Sequence, residues 1–177
     1  MQTWIALLRG INVGGNNRLP MAKLKAELES LKLNNVRTYI QSGNVVFECN
    51  GKAKPPLRKK ILDCIDTHHG FRPQLFLLTV DELQAAVDSN PYPEATAEPK
   101  TLHFFFLDKP ANEADMTALG KLQTADEHFT ITEQVAYLFA PNGIGKSKLA
   151  ANMEKHLGVT TTARNYRTVD KVLSMTK

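Results

Sequence analysis

Apolar residues in this chain fall into short runs and helical stripes that alternate in a fixed order. Trp4–Leu8 is an unbroken apolar run, the pattern of a buried strand. Pro20 suits the first turn of a helix, and Met21, Leu24, Leu28 and Leu31 then recur at helical spacing, with Lys23, Lys25, Glu27 and Glu29 on the other faces. Val36–Gln41 and Val45–Cys49 read as strands, and Ser42-Gly43-Asn44 between them has the turn chemistry of a hairpin. Leu57, Ile61 and Ile65 line a second helix that Gly70 stops, and Gln74–Leu78 is a fourth strand. The order β-α-β-β-α-β is that of a ferredoxin-like unit.

Thr79-Val80-Asp81-Glu82 matches a capping box and predicts a connecting helix to about Ser89, ended by Asn90-Pro91-Tyr92-Pro93. The order then starts again. Leu102–Leu107 is a strand, Glu113–Gln123 a weak helix, and Phe129–Glu133 with Gln134–Ala140 a second hairpin. Leu149, Met153 and Leu157 face inward on a helix closed by Gly158. Val159–Ala163 offers a short extended piece in place of a clear final strand, and Asn165 caps a last helix carrying Val169, Val172 and Leu173. The expected fold class is therefore α+β. Two packed ferredoxin-like subunits with mixed sheets are predicted, the second incomplete and ending in helices. Residues 1–79 form the first, 80–100 a connecting helix and linker, and 101–177 the second with its last helix.

Composition adds exclusions. The 177 residues are 42% hydrophobic and 23% charged, ordinary for a globular protein. No apolar run approaches the roughly 20 residues that span a bilayer, and Met1-Gln2-Thr3-Trp4 lacks the basic segment and apolar core expected of a signal peptide. A cytoplasmic protein without a membrane partner is expected, with Cys49 and Cys64 as free thiols. The net charge of +4 is unevenly spread: +4 over residues 1–25, −5 over the middle and +5 from Pro141 onward. Basic ends around an acidic middle suit an anionic partner, although solvated lysines give the same count.

Candidate chemistry lies in the loops. Ala140–Ser147 ends in the Gly-Lys-Ser of a phosphate-binding loop, with Asn142, Gly143, Gly145, Lys146 and Ser147 as candidate ligand residues. The first glycine of that motif is replaced by Ala140, a hairpin leads into it, and only Asp108 offers itself for magnesium. Gly10, Gly14 and Gly15 lack dinucleotide-binding spacing. The strand directions of β-α-β-β-α-β wiring nevertheless bring the loop Arg9–Arg18 beside Gln41–Asn44. Arg9, Asn12, Gly14, Gly15, Ser42 and Asn44 then share one edge with donors for an anion. A tight structural turn explains the same glycines. Arg164, Asn165 and Arg167 combine two cations with a helix start, either for phosphate or as an ordinary cap. No metal is expected: His68 and His69 close a helix, and no cysteine or carboxylate is read at ligand spacing from them. Phe104, Phe105 and Phe106 read as core, and Ser42 and Ser147 show no histidine–acid partnership.

Four stretches carry a family resemblance: Ala6–Gly15, Arg37–Phe47, Pro141–Leu149 and Thr162–Val169, with Asn90–Pro93 fitting as well. On these the chain resembles the bacterial domain-of-unknown-function family 1697 over almost its full length. The resemblance implies a cytoplasmic α+β protein of repeated ferredoxin-like subunits and implies no activity. It also implies that arginine is common at the position of Lys146, and arginine does not reproduce a compact lysine contact. The expected function is non-enzymatic binding of a phosphate-bearing small molecule or nucleic acid through the glycine loops and basic ends, with no cofactor. One alternative is a nucleotide or phosphoryl-transfer enzyme centred on Lys146. A second is a protein-interaction module whose loops are only structural.

Overall fold

Strand β1 (Gln2–Arg9) is buried on both faces from Trp4 to Leu8, which is why its apolar run is unbroken. It lies between β3 (Asn44–Cys49) and β4 (Gln74–Thr79), and β2 (Asn34–Tyr39) pairs with the far side of β3. The strand order is β2-β3-β1-β4. The computed structural model describes residues 1–51 and 53–177. The three pairings of this sheet are antiparallel, a correction to the mixed sheet expected. The reason is that β3 sits between β1 and β2, the two strands that run the same way.

Helices α1 (Met21–Ser30) and α2 (Lys54–His69) cover one face of this sheet. Met21, Leu24 and Leu28 of α1 and Leu57, Ile61 and Ile65 of α2 pack on Trp4, Ala6, Leu8, Val45, Phe47, Leu75 and Leu77. Full burial of each large apolar side chain contributes about 1.5–3 kcal/mol. Gly70 ends α2 in the left-handed region at φ 75°, and its amide returns to the Asp66 carbonyl at 2.8 Å. Helix α3 (Val80–Asp88) starts from the expected capping box. The Thr79 amide donates to a Glu82 carboxylate oxygen at 2.8 Å, and the Glu82 amide donates to the Thr79 hydroxyl at 3.2 Å.

The second sheet repeats the first. It contains β5 (Leu102–Leu107), β6 (His128–Ile131), β7 (Val135–Phe139) and β8 (Thr161–Asn165), in the order β6-β7-β5-β8. Helices α4 (Met116–Leu122) and α5 (Lys148–Leu157) supply the crossovers, and α6 (Tyr166–Ser174) follows β8. The α+β class and the β-α-β-β-α-β order hold in both halves. One expectation is corrected: the second unit is not incomplete, because Thr161–Asn165 pairs with Leu107–His103 as a full strand. Thr-Thr-Ala-Arg-Asn has no apolar run to announce it, and its place is set by the ladder with β5. Phe105, Ala136, Leu138, Leu149, Met153 and Leu157 form the core on the helix side.

By compactness the chain divides into two units. One comprises Met1–Gln84 with Val172–Lys177, the other Ala85–Lys171. Among the described residues no helix is long and apolar enough to cross a membrane.

Candidate functional site

In the first unit, β1 runs into a narrow turned loop. The Asn12 amide donates to the Asn17 carbonyl at 3.1 Å and the Asn16 amide to the Val13 carbonyl at 3.1 Å. Gly14 and Gly15, at φ 59° and 77°, are the two central residues of this turn. Two successive positive φ values are what a primed hairpin turn requires, so glycine is explained here by backbone geometry. The Asn12 side chain staples the loop to its surroundings. Its Nδ2 donates to the carbonyls of Leu19 and Gln41, both at 2.9 Å, and its Oδ1 accepts from the Leu19 amide at 2.8 Å. The Asn17 side chain donates to the Gly10 carbonyl at 2.8 Å.

The β2–β3 turn lies against this loop. The Leu8 amide donates to the Gly43 carbonyl at 2.8 Å, and fully buried Asn44 donates to the Tyr39 carbonyl and the Ser42 hydroxyl, both at 3.0 Å. The loops Arg9–Arg18 and Gln41–Asn44 are therefore neighbours, as the strand directions require. Their asparagines, however, hold backbone. Asn12 and Asn44 use their side chains to fix the two turns, while Arg9, Gly14, Gly15, Arg18 and Ser42 are the exposed members of the edge. Two apolar residues accompany them, Val13 at 69% exposure and Ile40 at 50%. Ile40 sits at φ 50°, a left-handed conformation that a β-branched residue rarely takes.

In the second unit, the glycine loop folds inward on itself. Buried Ala140 donates its amide to the Thr101 carbonyl at 2.8 Å. The Gly143 amide returns to Ala140, and a single 3₁₀ turn over Ile144–Lys146 follows. The amides of Lys146 and Ser147 go to the carbonyls of Gly143 and Ile144. The Ser147 hydroxyl accepts from the Ala150 amide at 3.0 Å and so caps α5. A phosphate-cradling loop turns such amides outward and gives its hydroxyl to magnesium. Here they serve the entry to a helix, leaving Asn142, Gly145 and Lys146 exposed at its surface.

Antiparallel wiring also separates the other parts of that motif. Phe139, just before the glycine loop, pairs with Leu102 at the start of β5, whereas Asp108 follows the end of β5. At about 3.3 Å per residue these ends of the sheet lie about 20 Å apart. Asp108 is thus not placed to hold a magnesium ion beside Lys146. Segment 164–167 does lie at the glycine-loop end, since Asn165 pairs with His103. Arg164 is buried, and its Nη1 donates to the Thr162 hydroxyl at 2.9 Å and the Ala163 carbonyl at 2.8 Å. Burial pulls its guanidinium pKa down to about 10. Asn165 caps α6 by accepting from the Thr168 amide at 3.0 Å, and Arg167 is exposed.

A further group lies on the helices of the first unit. Cys64 and His68 are one turn apart on α2, with Sγ 3.6 Å from Nδ1, and Glu27 reaches them from α1. His69 Nε2 meets both Glu27 oxygens, at 3.0 and 2.9 Å. Burial and the nearby Glu27 raise the Cys64 thiol pKa. The expectation that the two histidines lack a cysteine or carboxylate at ligand spacing is corrected. Cys64-x-x-x-His68 is an i,i+4 pair and legible as such, while Glu27 comes close only through helix packing.

The comparisons with known proteins agree with the fold. A conserved bacterial protein of solved structure, SP0830 from Streptococcus pneumoniae, is 27% identical, with a TM-score of 0.75 over 99% of each chain. No curated protein matches. The model of the family described as proteins of unknown function, DUF1697, matches residues 1–137, and the chain belongs to that family.

Proposed function

We propose that this protein is a binding module for an extended polyanion, engaged through the loop edge of its first unit. The observation that carries the reading is a fixed loop pair with exposed basic and apolar side chains. Asn12 ties Arg9–Arg18 to the Gln41 turn, and Arg9, Arg18, Val13 and Ile40 are exposed around exposed Gly14 and Gly15. A rigid loop needs little ordering on binding. Strained Ile40 and exposed Val13 beside the arginines support a contact role for this edge. Two surface cavities, one lined by Asp108, Glu154 and Thr160 and one by Lys32, Cys49 and Lys60, do not include these loops. An open edge suits an extended chain of phosphates better than an enclosed small molecule. In the second unit, Asn142, Gly145, Lys146 and Arg167 are exposed at one end of that unit's own sheet.

The enzyme reading centred on Lys146 has less support, because the loop amides and the Ser147 hydroxyl are spent on the helix entry. The test is binding of a labelled single-stranded oligonucleotide at low and moderate salt. Wild type should bind at low salt and weaken steeply as salt rises. Each exposed arginine contact is worth about 0.3–1 kcal/mol, so Arg9→Ala with Arg18→Ala should weaken binding by about threefold to thirtyfold. Absence of binding at low salt, or equal affinity in the double variant, rejects the reading.

A further inference from the structure

We propose that α1 and α2 of the first unit carry a site for a zinc-class divalent cation, with Glu27, Cys64 and His68 as its ligands. The side chains of Cys64 and His68 lie over one face of α2, one turn apart. Their Sγ and Nδ1 are 3.6 Å apart. A tetrahedral zinc ion with bonds of about 2.3 Å to sulfur and about 2.0 Å to nitrogen sets those two atoms about 3.6 Å apart. The pair is thus already spaced as one edge of a zinc tetrahedron.

Glu27 supplies the third donor from the facing helix. One ligand atom from each of the three residues lies within 4.8 Å of the others. Closing that spread to a coordination shell takes a movement of about 1 Å, within reach of side-chain rotamer adjustment. His69 Nε2 lies 3.0 and 2.9 Å from the two Glu27 oxygens and so fixes the carboxylate, as the outer hydrogen-bond partner of a metal-ligating group does. Sulfur, nitrogen and carboxylate oxygen together favour a borderline-soft ion over magnesium or calcium, which prefer oxygen alone. Three protein ligands leave the fourth position to water. His68 is exposed and Cys64 buried, so the ion enters from solvent along the imidazole. Coordination through Nδ1 replaces that nitrogen's hydrogen bond with the Cys64 carbonyl, now 2.8 Å. Without a metal, the same residues amount to a Glu27–His69 tie between two helices beside a packed thiol, and experiment separates the two cases.

The full chain, stripped of metal with a chelator, is titrated with Co²⁺ and followed by absorption, then challenged with Zn²⁺. Wild type should develop a thiolate-to-cobalt charge-transfer band that saturates near one equivalent and disappears as zinc displaces cobalt. Cys64→Ser should lose the band. His68→Ala changes an exposed side chain and should fold normally while binding at least tenfold more weakly. His69→Ala should weaken binding by about tenfold to a hundredfold through the loosened carboxylate. Cys49→Ser should keep the band, because Cys49 sits at the end of β3 beside Gly51. No band in wild type, a band that survives in Cys64→Ser, or unchanged affinity in His68→Ala overturns the site.

Discussion

Ile40 and Gly43 occupy the same turn and answer opposite questions about it. Ile40, at φ 50°, holds a left-handed conformation with a branched side chain that is half exposed. Such strain costs of order 1–3 kcal/mol, so Ile40→Gly should raise the denaturation midpoint by the equivalent of about 1 kcal/mol. A lower midpoint would show that the isoleucine side chain matters more than its backbone. At Gly43, φ is 84°, and an added Cβ would lie 2.6 Å from Leu8 Cβ and 2.8 Å from Ile11 Cδ1. Gly43→Ala should therefore destabilise by more than about 2 kcal/mol, in a urea titration that leaves the m-value unchanged. In the second unit, Tyr137 donates to the Ala86 carbonyl at 2.6 Å, and burial pushes its phenol up to about 12 from 10. Between those pH values the folded chain keeps a proton that the unfolded chain releases, so stability falls as pH rises. Tyr137→Phe should cost about 1 kcal/mol at neutral pH and flatten that alkaline loss.

Among the elements, the start of α3 joins two stabilising devices in one carboxylate. Burial alone raises the Glu82 pKa, but hydrogen bonds from Lys54 and the Thr79 amide outweigh it and set it below the ordinary 4.5. The Lys54 ammonium is 2.7 Å from one Glu82 oxygen. Because the folded pKa is the lower one, this contribution is complete above 4.5 and fades as pH falls through the folded value. Glu82→Ala should cost about 1–2 kcal/mol at neutral pH and reduce the acid sensitivity of thermal melting. The capping box was legible because its partners are three residues apart, and the Asn165 cap and the Gly158 stop were legible for the same local reason. Strand β8 was not, since Thr161–Asn165 becomes a strand by pairing with β5 across more than fifty residues of chain. The glycine loop shows a further limit. Its letters match a phosphate loop, but the letters do not say that Ser147 caps α5 or that the amides of Gly143 and Lys146 turn inward. At the other loop, strand direction alone placed Arg9–Arg18 beside Gln41. It could not show that Asn12 and Asn44 would be consumed as staples.

At the scale of the whole molecule, one topology is used twice and decorated differently. Each sheet has its first strand second from one edge and its hairpin at the other. A protein 27% identical keeps this architecture along 99% of the chain, as expected when paired strands and buried helix stripes, more than particular surface residues, define the fold. The residues 172–177 belong by compactness with Met1–Gln84, and they bring buried Val172 and Leu173 with them. Deleting them should lower the melting temperature, since full burial of these two side chains contributes about 3–6 kcal/mol as an upper bound. A ribosome delivers the chain from its first residue, at about 5–20 residues per second, and N-terminal domains usually fold while the rest is still being made. Here the core of the first unit, from Trp4 to Leu77, is already made before the second unit emerges, and residues 172–177 can join it only after the whole second unit has been made.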